Sequence, residues 1–269
     1  MALPTYHAHT TFCDGRDSAE DMVKAAIKLG LSEIGFSGHA PMPFANNWCM
    51  TKDDERAYFK TVTALKEKYK DQIRIFVGVE FDAYSSPSDI PYDYVIGSVH
   101  HVLKDGVYLT VDESKETTHH NVMNYYGGDA YSYVEDYYDT VSKLYEATHC
   151  DIIGHFDLVT KFIDVDPLFS EEHPRYIYAR EYALSSLLKT PAVFEVNTGG
   201  IYRGYRNVTF PSVDFAWEIY SRGGKLVINS DTHNTNSIDF MLSDVAATFD
   251  SLNISYITSL PEILALTRR

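Results

Sequence analysis

The chain has 269 residues, 45% of them hydrophobic and 23% charged, which suits one barrel of roughly 250 residues or two modest domains. Its formal net charge of −15 argues against a nucleic-acid-binding surface, which needs clustered Lys and Arg. No run approaches the roughly 18 uninterrupted apolar residues of a membrane span.

The first predicted strand, Thr5–His9, carries His7 and His9 two apart. In an extended chain such residues share a face. Asp14 follows on an Asp-Gly turn, and two imidazoles with a nearby carboxylate make half of a metal site. Met1-Ala-Leu-Pro runs straight into this strand, leaving no room for a signal peptide. Cys13, Cys49 and Cys150 are far apart and suggest reduced thiols. A cytoplasmic location is therefore expected.

Ser18 to Leu29 reads as a helix. It opens on Ser18-x-x-Asp21, carries Met22, Ala25 or Ala26, and Leu29 at helical spacing, and ends at Gly30. Further strands are expected at Glu33–Ser37, Ile73–Val79, Tyr94–His100, Asp151–Gly154, Ala192–Asn197, Leu226–Ser230 and Ile254–Thr258. Most are short runs of Val, Ile and Phe without clean alternation, as for strands buried on both faces. Lys104 to Asp129 reads as an irregular excursion. The 21 tyrosines, many between Tyr125 and Tyr145, read as half-buried packing residues with a wet hydroxyl. Ser212 to Arg222 repeats the helical arrangement, with Val213, Ala216, Trp217 and Tyr220 on one face and Gly223 behind it. No linker, low-complexity run or fixed-period repeat interrupts the chain, so residues 1–269 are read as one domain.

Strand–helix alternation means an α/β protein, either a barrel or a doubly wound sheet. The barrel is favoured because ionisable residues stand at the C-terminal ends of nearly every predicted strand, where barrel sites assemble. In order these are His7 and His9, His39, Glu80, His100, His155, and Asp231 with His233; Asp14 joins from the first loop. A lone histidine at a strand end usually has a packing role. Six imidazoles and three carboxylates together exceed what one or two four-coordinate metals need, and imply two or three divalent ions. Pattern alone does not separate His100 from His101. His119, His120, His149 and His173 lack such a context and read as solvated or packing residues.

The ordered series His7-x-His9, Asp14-Gly15, Ser37-Gly-His-Ala-Pro-Met-Pro43, Gly78-Val-Glu80, Gly97-Ser-Val-His100, Gly154-His-Phe-Asp157, Glu195-Val-Asn-Thr-Gly-Gly200 and Ser230-Asp-Thr-His233 resembles the polymerase-and-histidinol-phosphatase (PHP) superfamily. Within it, the chain resembles the histidinol-phosphate phosphatase branch. The resemblance implies a distorted (β/α)7 TIM-like barrel with its metal site at the C-terminal ends of the strands, which eight predicted strands fit loosely. It implies that His7, His9, Glu80 and Asp231 hold one ion. Glu80 would share a second ion with His100 and His155, and Asp14, His39 and His233 would hold a third. The family motif selects His100 over His101. Some relatives place a histidine in the first loop, where this chain offers Asp14.

The implied activity is hydrolysis of L-histidinol phosphate to L-histidinol and inorganic phosphate, a step of histidine biosynthesis. A water bridging two ions would attack phosphorus, so no protein nucleophile is required. The sequence has no Gly-x-Ser-x-Gly elbow, and no Cys has the context of a phosphatase thiolate. Arg203 and Arg206, just past a predicted strand end, and Lys161 are expected to bind the phosphate. His and carboxylate donors suit Zn, Mn, Fe or Co. The expected partner is a small phosphomonoester, with neither nucleic acid nor membrane. Two other readings remain open: a phosphoesterase for another small phosphomonoester or a nucleotide, and a non-catalytic, metal-binding regulatory domain. Oligomeric state is not legible.

Overall fold

The computed structural model describes residues 2–44 and 46–268, so both ends of the expected 1–269 domain lie outside the described residues. In chain order the elements are α1 (Ala19–Leu29), β1 (Glu33–Phe36), α2 (Lys52–Lys68), β2 (Arg74–Asp82), β3 (Tyr94–Ser98), β4 (His101–Lys104) and β5 (Val107–Thr110). Then come α3 (Lys115–Tyr125), α4 (Ala130–Ser142), α5 (Leu144–Thr148), β6 (Ile152–Ile153), α6 (Pro174–Leu187) and β7 (Val193–Asn197). The chain closes with α7 (Gly199–Tyr202), α8 (Val213–Ser221), β8 (Leu226–Asn229), α9 (Leu242–Ser251) and α10 (Leu260–Thr267). Local chemistry sets the helix starts. Ser18 caps α1 by accepting from the Asp21 amide, and Gly30 ends it at φ 78°. Thr51 and Asp54 form a reciprocal capping box on α2.

Six strands form a sheet in the order β1-β2-β3-β6-β7-β8, with every pairing parallel. Residues 5–9, expected as a strand, make only isolated bridges, but at both edges of the sheet. Thr5 bridges Ile34 of β1, and Ala8 bridges Thr232 just past β8. The amide of Gly35 donates to the Thr5 carbonyl at 2.9 Å, and the amide of His9 donates to the Thr232 carbonyl at 2.8 Å. The sheet is therefore curled, with one short segment touching both of its outer strands. The expected strand at Ile254–Thr258 shrinks to a single bridge between Ile257 and Val227. On its other flank, all four residues of β8 pair with Phe194–Asn197 of β7.

Strand register decides what faces inward. Gly78 lies opposite Tyr94, and Glu80 opposite Ile96, so these four share one face. On β7, Val193, Glu195 and Asn197 share a face, with Glu195 opposite Val227 and Asn197 opposite Asn229. The inner face thus changes character along the strands. Tyr94, Ile96, Ile152, Val193 and Val227 pack with Tyr6, Leu260 and Ile263 in one apolar cluster, while the C-terminal ends carry polar groups. Tyr94 is fully buried over Gly78, where a Cβ would collide with its ring. Its hydroxyl donates to the carbonyls of Tyr6 and Phe36 and ties three segments together.

Three expectations need correction. The stretch from Lys104 to Asp129 is ordered as hairpin β4–β5 followed by α3. Asp105 (φ 49°) and Gly106 (φ 80°) make the tight turn, a two-residue signal present in the sequence. On α8 the buried face is Phe215, Ala216 and Ile219, whereas Trp217 is half exposed. Tyr133, Tyr137 and Tyr138 on α4 are fully buried rather than half-buried, because α4 packs its tyrosine face on the core beside α6. The Tyr138 hydroxyl donates to that of Tyr176 at 3.0 Å.

Candidate metal centre

Where the polar ends of the strands meet, Glu80 is the hub. Its Oε2 lies 2.9 Å from Nδ1 of His39, 3.1 Å from Nε2 of His7 and 3.5 Å from Nε2 of His9. Its Oε1 lies 3.0 Å from Nε2 of His155 and 3.5 Å from Nε2 of His100. Asp231 Oδ1 sits 3.3 Å from His9 Nε2, 3.6 Å from His7 Nε2 and 3.6 Å from His233 Nδ1. Asp14, the most exposed of the nine, reaches His233 Nε2 at 3.2 Å and both His9 and His39 at 3.6 Å. All nine residues expected from the sequence therefore converge.

Most of them come together because they lie in or just after the parallel strands, while His7, His9 and Asp14 come from the segment that bridges both edges of the sheet and the loop behind it. Glu80 is within β2, His39 follows β1, His100 follows β3, His155 follows β6, and Asp231 and His233 follow β8. Asp231 adopts φ 49°, the left-handed region that Asp tolerates better than most residues. Of the adjacent histidines, His100 reaches Glu80, whereas His101 turns to Asp82 (3.5 Å) and stacks on Trp48 with ring centroids 5.7 Å apart.

The donors fall into overlapping groups whose ligand atoms lie within 4.8 Å of one another: His9 with Asp14, His39 and His233; His7 with Glu80 and His155; His7 with His9 and Asp231; and His39 with Glu80 and His100. Nε2 of His7, Nε2 of His9 and Oε2 of Glu80 are buried without a hydrogen bond. Leaving such groups unpaired is costly, and imidazole nitrogens and carboxylate oxygens at this spacing fit divalent ions.

The electrostatics point the same way. Burial opposes charge on His39, yet Glu80 and Asp14 raise its pKa to about 9. Burial also opposes charge on His7, but Glu195, Glu80 and Asp231 hold its pKa well above the ordinary value. His9, buried between His233 and His39, is pushed down to about 3. Glu80 is held far below the usual carboxylate range: against the cost of burial stand His7, His39 and His100.

Six of the donors, Asp14, His39, His100, His155, Asp231 and His233, line a cleft of about 600 Å3. Its aromatic wall holds Trp48, edge-on to His39 at 4.6 Å, and Phe44 stacked on Tyr108 at 4.4 Å. Two of the three expected phosphate-binding cations line it. Arg203 pairs with Asp231 Oδ2 at 2.7 Å, and Lys161 donates to the carbonyl and Oδ2 of Asp112 at 2.7 and 3.1 Å. Arg206 is not among the lining residues. Its buried guanidinium is taken up by ion pairs with Asp164 (2.6 Å) and Glu171 (3.3 Å), away from the cleft where the phosphate is expected. Of the histidines expected to stand apart, His173 caps α6 and His119 pairs with Asp166 at 2.6 Å.

Sequence reasoning gave no role to two buried carboxylates. Asp82 accepts from the His100 amide at 2.7 Å, and Glu195 lies 2.7 Å from Nδ1 of His7. For Asp82 the signal was its two-residue spacing from Glu80, the same pattern as in His7-x-His9. For Glu195 it was a charge alternating with Val193 in an otherwise apolar strand.

The family model of the PHP domain matches residues 5–198. A Deinococcus radiodurans protein named "Probable histidinol-phosphatase" is 26% identical over 249 residues, covering 88% of this chain and 89% of its own. The histidinol-phosphatase of Bacillus subtilis is 25% identical over 257 residues, covering 87% and 94%. The crystal structure of histidinol phosphate phosphatase from Lactococcus lactis, complexed with zinc, L-histidinol and phosphate, superposes with a TM-score of 0.71. It is 20% identical and covers 95% of each chain.

Proposed function

The chain belongs to the PHP domain family, and on that premise we propose that it is a metal-dependent phosphomonoesterase hydrolysing L-histidinol phosphate to L-histidinol and inorganic phosphate. One observation carries the reading: Glu80 and eight further imidazole and carboxylate donors gather in overlapping groups, and six of the nine line a cleft that Arg203 and Lys161 also line. The relatives named as histidinol-phosphatases, and the zinc, histidinol and phosphate held by the Lactococcus lactis enzyme, support the substrate and the cofactor.

In this reading His7, His9, Asp14, His39, Glu80, His100, His155, Asp231 and His233 hold two or three divalent ions, with Zn, Mn or Fe as candidates. When bound, such ions supply Lewis-acid charge and make water acidic enough to act as nucleophile near neutral pH. The protein's own part is to position and to neutralise. Arg203, anchored by Asp231 and beside His233 (3.2 Å), offers a guanidinium fork to phosphoryl oxygens. Lys161 adds a second cation, held by Asp112. Counting residues 5–9 as a seventh strand gives a distorted (β/α)7 barrel in a single domain, a reading supported by their bridges to both edges of the sheet. No described helix is long and apolar enough to cross a membrane.

The test is phosphate release from L-histidinol phosphate by zinc- or manganese-loaded protein, beside a panel of small phosphomonoesters and nucleotides and a chelated control. A kcat/KM for histidinol phosphate far above the panel and abolished by chelation is expected. Preference for another ester overturns the substrate. Metal binding without turnover of any ester favours a regulatory domain.

A further inference from the structure

Glu195 stands on β7, fully buried, and is not among the residues that line the cleft. Its Oε1 lies 2.7 Å from Nδ1 of His7 and accepts from Nδ2 of Asn229 at 3.0 Å. Its Oε2 accepts from the backbone amide of His155 at 2.8 Å and from Nδ2 of Asn197 at 3.1 Å. Four donors thus surround one ionised carboxylate, which only accepts. They come from the 5–9 segment, the end of β6, β7 itself and β8. Two belong to residues that converge on Glu80.

We propose that Glu195 is a positioning residue for the metal centre, fixing which nitrogen of His7 is free to bind an ion. The inference rests on the metal-site reading above. With its proton held on Nδ1 by Glu195, His7 can present only Nε2 as a ligand. That nitrogen faces Glu80 at 3.1 Å and Asp231 at 3.6 Å. The other oxygen fixes the backbone from which the His155 ring projects toward Glu80. A carboxylate behind a ligating imidazole sets its tautomer and orientation, and losing such a partner commonly costs about 10–100-fold in metal affinity.

Glu195→Gln keeps the shape and reverses the chemistry. If the amide oxygen faces His155 and Asn197, its NH2 confronts Nδ1 of His7 and the amide of Asn229. If it is flipped, the NH2 confronts the His155 amide and Asn197. Either way a donor is left unmatched, and in the first case His7 can accept from the NH2 only by moving its proton to Nε2, the nitrogen the ion needs.

The test is zinc affinity by competition with a chromogenic chelator, measured on the parent, Glu195→Gln, His7→Ala and the double variant. The expected result is a zinc affinity about 10–100-fold weaker in Glu195→Gln. In the His7→Ala background the same substitution should cost far less, because the residue acts through His7. Unchanged affinity in Glu195→Gln overturns the proposal. So does an equal loss with and without His7, which would mark a purely structural residue. If Glu195→Gln does not fold, long-range 1H–15N spectra of the zinc-loaded parent decide: a protonated Nδ1 on His7 supports the proposal, a protonated Nε2 overturns it. A parent that binds no zinc overturns the metal reading itself, and is distinct from a zinc-binding parent indifferent to Glu195.

Discussion

Oε2 of Glu80 stands 3.1 Å from Nε2 of His7, and both atoms are buried without a hydrogen bond. The same carboxylate also faces His9, His39, His100 and His155. In the proposed centre its removal would weaken more than one ion site at once. Glu80→Ala should lose at least one equivalent of zinc per chain by elemental analysis. Its kcat/KM should fall by more than the roughly 10–100-fold typical of losing an outer partner. Full occupancy with near-normal turnover would sink the bridging role.

Arg203 should separate substrate binding from metal binding. Its guanidinium lies on the cleft and pairs with Asp231, but it is a cation and ligates no ion. A hydrogen bond to a charged partner is worth about 1.5–3 kcal/mol, so Arg203→Ala should lower kcat/KM about 10–150-fold. Zinc content should stay at the parental level. An unchanged kcat/KM would remove Arg203 from the phosphate site. Arg206→Ala, by contrast, should act through stability, because its partners are Asp164 and Glu171.

What the sequence made legible depended on short-range geometry. His7 and His9 announced themselves because alternate residues of an extended chain face the same way, and the strand-end histidines because barrel sites assemble there. Glu195 did not, since its partner His7 lies 188 positions away and nothing local marks the contact. Arg206 was misplaced for a related reason. It follows Arg203 by three residues through a glycine at φ 73°, where no helical or strand period says which way a side chain points. The segment at residues 5–9 read as a strand because its composition is that of one. Its pairing is split between two edges of the curl, which only the curled sheet reveals.

Gly78 should be intolerant of any side chain. It lies opposite Tyr94 in the β2–β3 register, and an added Cβ would run into the Tyr94 ring. That ring cannot swing away cheaply, because its hydroxyl is bonded to the carbonyls of Tyr6 and Phe36. Overpacking of this kind costs about 1–3 kcal/mol. Urea denaturation of Gly78→Ala should show that loss as a lower midpoint with an unchanged slope. A midpoint equal to the parent's would mean that the inner face is looser than the geometry describes.

Removing the metal should make stability strongly dependent on pH. In the metal-free protein His39 titrates at about 9, against 6.5 when unfolded, so its contribution is complete below 6.5 and is lost as pH rises through 9. That shift corresponds to on the order of 3 kcal/mol. His7 and His155, whose pKa values are also raised by neighbouring carboxylates against the cost of burial, add to the loss in the same direction. Below 6.5 the sign reverses for His9. Its pKa of about 3 means that the unfolded chain takes up a proton which the fold refuses, and stability falls as the pH drops. Chelated protein should therefore be most stable near pH 6.5 and weaken toward 9. With ions bound the imidazoles serve as neutral ligands, and the alkaline loss should disappear. Urea midpoints from pH 5 to 9.5, with and without chelator, read both limbs. Stability of the chelated protein that stays level or rises between pH 6.5 and 9 would show that these imidazoles are not paired with Glu80, Asp14 and Asp231 in solution.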